Sequence, residues 1–181
     1  MPELPEVETV VRLVRPRLVG RTIVGVDVRW TRTLGGLGRA RFARAVVGAR
    51  VSRVWRRAKY AVMDLERDGG PAGHLVGHLR MTGRFQVDPP DVDPGPYARL
   101  SLRLDDGHSF HFVDVRKFGR LWFTPEPQRL LGRLGPEPLG DGFTAEWLAA
   151  ELKRRARQLK PLLLDQAFLA GVGNIYADES L

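Results

Sequence analysis

The chain has 181 residues, 43% of them apolar, enough for one domain or one large domain with part of a second; disorder, collagen-like repeats and a short peptide scaffold are excluded. No run approaches the ~18 to 20 uninterrupted apolar residues of a membrane helix, and Met1-Pro2-Glu3 is acidic where a secretory signal carries Lys or Arg, so a cytosolic protein with no membrane partner is expected. Zero cysteines exclude disulfides, thiolate-held metals and a Cys nucleophile, and the four histidines (His74, His78, His108, His111) leave little for metal chemistry, so no metal site is expected. The net charge of +8 comes from arginine, since only Lys59, Lys117, Lys153 and Lys160 are lysines among 29 basic residues. Guanidinium groups bind phosphate oxygens bidentately and stay charged, which implies a polyanionic partner, nucleic acid ahead of a membrane surface. A surface that is simply basic is the plainer alternative.

In chain order, Val7, Val10, Val11, Val14 and Leu18 recur at helical spacing, with Glu6 and Glu8 in the first turn and Gly20 past the end. From Arg21 to Phe123 the pattern changes to eight short β-branched runs: Thr22–Trp30, Val51–Trp55, Tyr60–Leu65, His74–Leu79, Arg84–Val87, Leu100–Leu104, Ser109–Val113 and Arg120–Phe123. Turn signals separate them (Gly35-Gly36, Asp68-Gly69-Gly70, Pro89-Pro90, Asp105-Asp106-Gly107), which predicts an antiparallel β-sandwich or flattened barrel. The Pro/Gly-rich stretch Gly135–Gly140 marks a boundary, giving a sandwich domain over 1–134, a linker over 135–143 and a helical part over 144–181. Thr144 is the expected N-cap of a helix ending near Arg157, with Phe143 stapled onto Leu148. Lys160-Pro161 opens a helix expected to reach about Ala170, Gly171-Val172-Gly173-Asn174 is a tight turn, and a last helix from Ile175 meets the end of the chain at Leu181. The expected fold class is α+β: an N-terminal helix on a two-layer antiparallel β-sandwich, followed by a truncated helical segment.

Chemistry concentrates at the N-terminus. Initiator methionine is commonly removed ahead of a small residue such as Pro2, which would expose a secondary amine. With an α-amino pKa of about 7.7 to 8.0, a tenth or so is free base at neutral pH. Its condensation with an aldehyde-level carbon gives an iminium that cannot discharge by losing an N–H proton, a strong electron sink. Glu3 and Glu6 stand within one turn and are able to protonate a leaving group or hold the amine. Their plainer reading is favourable charge at a helix N-terminus.

The string Met1-Pro2-Glu3-Leu4-Pro5-Glu6-Val7-Glu8-Thr9 resembles the N-terminus of bacterial formamidopyrimidine-DNA glycosylases, the Fpg (MutM) enzymes of the Fpg/Nei family, which remove oxidised purines. Arg56-Arg57-Ala58-Lys59-Tyr60, His78-Leu79-Arg80-Met81-Thr82-Gly83 and Asp114-Val115-Arg116-Lys117-Phe118-Gly119 resemble further family segments in the same order. So does Lys160–Gln166 with Gly171–Glu179, which is similar to the first half of the family's helix–two-turn–helix. The resemblance implies a bifunctional glycosylase and lyase of base excision repair acting on duplex DNA that carries oxidised bases or abasic sites. In that reading Pro2 attacks C1′, Glu3 aids base expulsion, Glu6 positions groups or contacts the ring, and Lys59 approaches phosphate and lesion. Met81 fills the gap left by the flipped nucleotide, Arg116 faces the orphaned base and Phe118 wedges the stack, the pairing of apolar wedge and cation that base flipping needs. His78, Lys160 and Asn174 are carried over as DNA contacts, with Arg155 beside them. A glycine turn feeding a helix N-terminus suits a phosphate; it also suits an ordinary C-cap and turn.

Members normally continue into a second helix, a loop capping the oxidised base, and a C-terminal finger holding a structural zinc. None of these is in the sequence, so no cofactor is expected here, and duplex affinity, lesion choice and δ-elimination are the properties affected. Tyr97 stands where the family often has a DNA-contacting histidine. The protein is expected to be a monomer. An endonuclease VIII-type enzyme for oxidised pyrimidines, and a catalytically inactive DNA-binding fragment, are the alternative readings.

Overall fold

A computed structural model describes all residues, Met1–Leu181. Helix α1 (Leu4–Leu18) buries Leu4, Val7, Val11, Val14 and Leu18, the stripe its periodicity demands, and Pro5 falls in the first turn, where a missing N–H costs nothing. Eight strands follow: β1 (Ile23–Val28), β2 (Arg50–Arg57), β3 (Tyr60–Arg67), β4 (Gly70–His78), β5 (Gly83–Asp88), β6 (Ala98–Leu104), β7 (Ser109–Asp114) and β8 (Arg120–Thr124). They form two antiparallel four-stranded sheets, ordered β1-β6-β7-β5 and β2-β3-β4-β8. At the β3–β4 hairpin, Asp68 and Gly69 have φ of 53° and 78°, the pair of left-handed residues that a tight two-residue turn needs to match strand twist.

Val51, Val54, Met63, Leu65 and Leu75 from one sheet face Phe85, Leu100, Leu102, Phe110 and Phe112 from the other in a single buried core. The Phe85 ring lies edge-on to Phe110 and Phe112, both at 5.0 Å between centroids. Two helices close the open sides of this sandwich. Helix α1 packs on β2 and β5, edge strands of opposite sheets, while α2 (Arg39–Val46) packs on β1 and β8, the other two edges. Covering both pairs removes the unpaired rims through which sheets aggregate. Helix α2 and the 3₁₀ turn Thr31–Leu34 that precedes it were not expected from sequence.

The helical part comprises α3 (Gln128–Leu131), α4 (Ala145–Lys153), α5 (Leu159–Leu164) and α6 (Asn174–Glu179). Thr144 caps α4, accepting the Trp147 N–H at 3.1 Å, and the Trp147 ring lies 5.7 Å from Phe143 and 5.4 Å from Phe168. These rings join Leu162, Leu163, Leu169 and Ala177 in a second core separate from the sandwich. Two helices are shorter than their apolar patterns predict. Helix α4 stops at Lys153 rather than near Arg157, and α5 at Leu164 rather than near Ala170, because Asp165 leaves helical geometry and accepts the Ala167 N–H at 3.1 Å. Pro161 sits third in α5, not first, still within the turn that lacks N–H partners.

The connecting stretch is firmly packed. Glu137 receives Arg56 at 2.7 Å, Arg57 at 3.0 Å and the Ala58 N–H at 2.6 Å, and Arg57 also donates to the Leu134 and Gly135 carbonyls. The Gly135 N–H bonds the Gln166 carbonyl and the Ala170 N–H the Pro136 carbonyl, both at 2.9 Å. No helix is long and apolar enough to cross a membrane.

Candidate active site and nucleic-acid interface

A cavity of about 450 Å³ lies between the sandwich and the helical part, walled by Met1, Glu3, Lys59, Tyr60, His78, Arg80 and Met81 from one side and by Leu134, Leu164, Gln166, Gly173, Asn174 and Ile175 from the other. The N-terminus, the β2–β3 turn, the end of β4 and the start of α6 converge there.

Glu3 is 2% exposed. Its carboxylate accepts the N–H groups of Gly173 at 2.7 Å and Ile175 at 2.9 Å. The anion seated on the glycine turn and the N-terminus of α6 is therefore Glu3, not the DNA phosphate that the glycine pattern suggests. A Cβ at Gly173 would lie 2.4 Å from the Glu3 carboxyl carbon, which explains glycine at this position. Glu6 does not line the cavity; one oxygen accepts the Glu3 N–H at 2.9 Å and the other the Tyr176 hydroxyl at 3.1 Å. Partial burial pushes the Glu6 carboxyl up, but these hydrogen bonds outweigh it and hold the group below its ordinary value.

Lys59 ends a tight turn in which Ala58 adopts a left-handed φ of 51°. It is 5% exposed, and burial lowers its ammonium pKa, partly offset by attraction to Glu3. His78 packs edge-on against Tyr60 at 4.8 Å, and its Nδ1 accepts the Arg80 N–H at 3.0 Å. Burial, then repulsion by Arg80 and Lys59, lowers its pKa to about 4, so the ring is neutral with its proton on Nε2.

Met81 and Phe118 come from different loops, after β4 and after β7, yet line one smaller cavity with Met1, Arg80 and Arg120. Both are large apolar side chains left 43% and 49% exposed, and Arg116 stacks on the Phe118 ring at 4.9 Å. Buried Asp114 joins the two loops. It accepts the Thr82 hydroxyl and, at 3.2 and 2.7 Å, the N–H groups of Arg116 and Gly119. Arg120 then donates to the carbonyls of Lys117, Phe118 and Gly119.

Asn174 opens α6 on the cavity wall. Arg155 and Lys160 lie outside it: Arg155 pairs with Glu151 and covers the Phe168 ring at 5.1 Å, and Lys160 pairs with Asp178 at 2.5 Å. Sequence reading missed Asp114 and Arg80 as site residues although both fall inside quoted motifs; a polar residue at the end of an apolar strand was the available signal for Asp114. Tyr176 and Glu137 gave no local signal, because their partners are distant in the chain.

The sandwich, sealed by its own N-terminal helix, brings the first residue and the loops that carry Met81 and Phe118 to one face, with the helical part across the cavity. The profile of the formamidopyrimidine-DNA glycosylase N-terminal domain matches residues 1–121 and that of the formamidopyrimidine-DNA glycosylase H2TH domain residues 134–181. The formamidopyrimidine-DNA glycosylase of Protochlamydia amoebophila is 41% identical over 182 residues, covering 100% of this chain and 64% of the relative, and that of Parasynechococcus marenigrum is 45% identical over 188 residues, covering 100% and 66%. Lactococcus lactis Fpg, solved in complex with abasic-site DNA, superposes with a TM-score of 0.87 at 31% identity over 98% of this chain and 65% of that one. The same enzyme with FAPY-dG-containing DNA matches equally, covering 98% and 66%. The chain belongs to the formamidopyrimidine-DNA glycosylase family, and it spans about two-thirds of the length of these relatives.

Proposed function

We propose that this chain carries the catalytic part of a bifunctional DNA glycosylase and lyase that removes oxidised purines from duplex DNA in base excision repair, working as a monomer in the bacterial cytosol. The observation that carries this reading is the cavity whose mouth holds Met1 and Met81 together, with Phe118 beside them. A nucleotide displaced by the wedge has a place to go, and that place adjoins the residue whose removal frees the Pro2 amine. The family membership and the DNA-bound relatives support the same reading.

The Pro2 nitrogen attacks C1′ of the flipped nucleotide. The glycosidic bond breaks with its electron pair leaving on the base, which takes up a proton from water, and the Glu3 carboxylate, on the cavity wall, stabilises the positive charge developing at the sugar. The amine proton passes to O4′ as the sugar ring opens, leaving a C1′ iminium. Loss of a C2′ proton into this sink expels the 3′ phosphate by β-elimination, and hydrolysis returns the amine. Lys59, buried on the same wall with its charged form disfavoured, is suited to proton handling at the sugar. Met81, Arg116 and Phe118 fill the vacated stack, and His78 and Asn174 offer neutral donors to backbone phosphates at the cavity rim. The residues present do not fit a structural zinc: there is no cysteine, and no group of three or more His, Asp or Glu side chains is arranged to hold a metal.

Borohydride reduction of the natural protein with an 8-oxoguanine duplex tests this. A covalent adduct whose DNA maps to the peptide beginning at Pro2 is expected, with methionine absent by intact mass. A protein lacking Met1 that yields no adduct overturns the assignment, and a lesion panel favouring oxidised pyrimidines would redirect its specificity.

A further inference from the structure

Tyr176 and Glu6 join the two halves of the molecule at a point outside the cavity. The Tyr176 hydroxyl donates to Glu6 Oε1 at 3.1 Å, and Glu6 Oε2 accepts the Glu3 N–H at 2.9 Å. That N–H belongs to the Pro2–Glu3 peptide. A peptide is planar, and the pyrrolidine ring locks its own internal torsion. Once the plane of the Pro2–Glu3 peptide is fixed, a single rotation about the Pro2 Cα–C bond decides where the ring nitrogen of an N-terminal proline points. Glu6 fixes the plane, and Tyr176 fixes Glu6.

We propose that Tyr176 is a positioning residue for the Pro2 amine, acting through Glu6; the inference rests on the reading of Pro2 as nucleophile. Tyr176 lies in α6, 170 residues from Glu6, so the contact exists only when the helical part is docked on the sandwich. The aim of the nucleophile is thereby tied to closure of the cavity around a flipped nucleotide. A misplacement of ~1 Å in a reacting group is enough to cost on the order of a hundredfold in rate, and loss of one restraint on a single rotation costs part of that.

The test is Tyr176→Phe, which keeps the ring and removes only the donor. Single-turnover formation of the borohydride-trappable adduct is expected to slow by about 5- to 20-fold, while affinity for a duplex bearing a non-reactive tetrahydrofuran abasic analogue stays within about twofold of the parent. Glu6→Ala should slow adduct formation at least as much, and Tyr176→Phe should add nothing further in that background, because both act on one restraint. A Tyr176→Phe protein that traps at the parental rate, one whose loss of rate equals its loss of affinity, or a double variant whose defects multiply, overturns the proposal. If the parent itself forms no adduct, the Pro2 reading fails first and takes this inference with it, an outcome distinct from a normal parent and a normal Tyr176→Phe.

Discussion

A histidine whose Nδ1 accepts a backbone N–H cannot take a proton there without giving up that bond, and His78 is in this position with the Arg80 N–H at 3.0 Å. Its pKa falls to about 4 in the fold through burial and the nearby Arg80 and Lys59 charges, against about 6.5 in the unfolded chain. Between these values the unfolded chain binds the extra proton, so stability rises with pH from about 4 to 6.5 and is level above, by an amount on the order of 3 kcal/mol. His78→Gln retains an acceptor for the Arg80 N–H but does not titrate, and urea midpoints across this range should lose the His78 part of the slope; an unchanged slope would mean the ring is charged. At Gly173 the constraint is steric. Gly173→Ala places a methyl 2.4 to 2.8 Å from the Glu3 carboxyl atoms. Breaking the carboxylate bonds to Gly173 and the first turn of α6 should destabilise the protein by about 2–4 kcal/mol in denaturant titration, where an exposed turn would tolerate alanine within ~0.5 kcal/mol.

At the scale of elements, the loops that carry Met81 and Phe118 are joined by one carboxylate, Asp114. Asp114→Ala leaves the buried Gly119 N–H without its acceptor and frees the Thr82 and Arg116 contacts, a loss of about 2–4 kcal/mol. Amide exchange over residues 115–119 should quicken beyond the global change, and duplex binding should weaken through the unset Phe118; protection equal to the parent's would show that Arg120 alone holds the loop. The strands were legible because alternation and turn residues are local signals: each of the eight expected runs overlaps an observed strand. Helix α2 was not, since Arg39, Arg41 and Arg44 crowd a helix of eight residues whose buried side is only Phe42 and Val46. The overlong α5 has the opposite cause. Leu162, Leu163, Leu164, Phe168 and Leu169 form an apolar run that reads as one helix, and Asp165 turns the chain so that the same side chains reach one core from two directions.

For the whole molecule, sequence named Glu3, Lys59, His78, Met81 and Asn174 of the cavity wall but not how its halves are held. The N-terminal motif with Glu3 and the Gly171-Val172-Gly173 turn were visible separately; that one caps the other is a contact across 170 residues with no periodic trace. The same holds for Glu137, which lay in a stretch whose Pro and Gly content suggested a tether and which instead receives Arg56, Arg57 and the Ala58 N–H. Burial raises the Glu137 carboxyl pKa, and the Arg56, Ala58 and Arg57 hydrogen bonds outweigh it, so the group sits below the ordinary value of 4.5. A depressed folded pKa means that the unfolded chain takes the proton first as pH falls. The stabilisation is then complete above about 4.5 and is lost as acid drives the pH through the folded value. Glu137→Ala should remove this acid-labile part at every pH. It leaves Arg56 with Glu8 and the Ala58 carbonyl and Arg57 with only carbonyls, at a cost of about 2–4 kcal/mol. Because cavity walls come from both halves, adduct formation should also slow by tenfold or more as the helical part loosens. Calorimetry of the variant should show the small core around Trp147 and Phe168 melting ahead of the sandwich. A single transition with a parental trapping rate would mean that the Glu3 carboxylate and the carbonyl pairings at Gly135 and Pro136 suffice to keep the halves together.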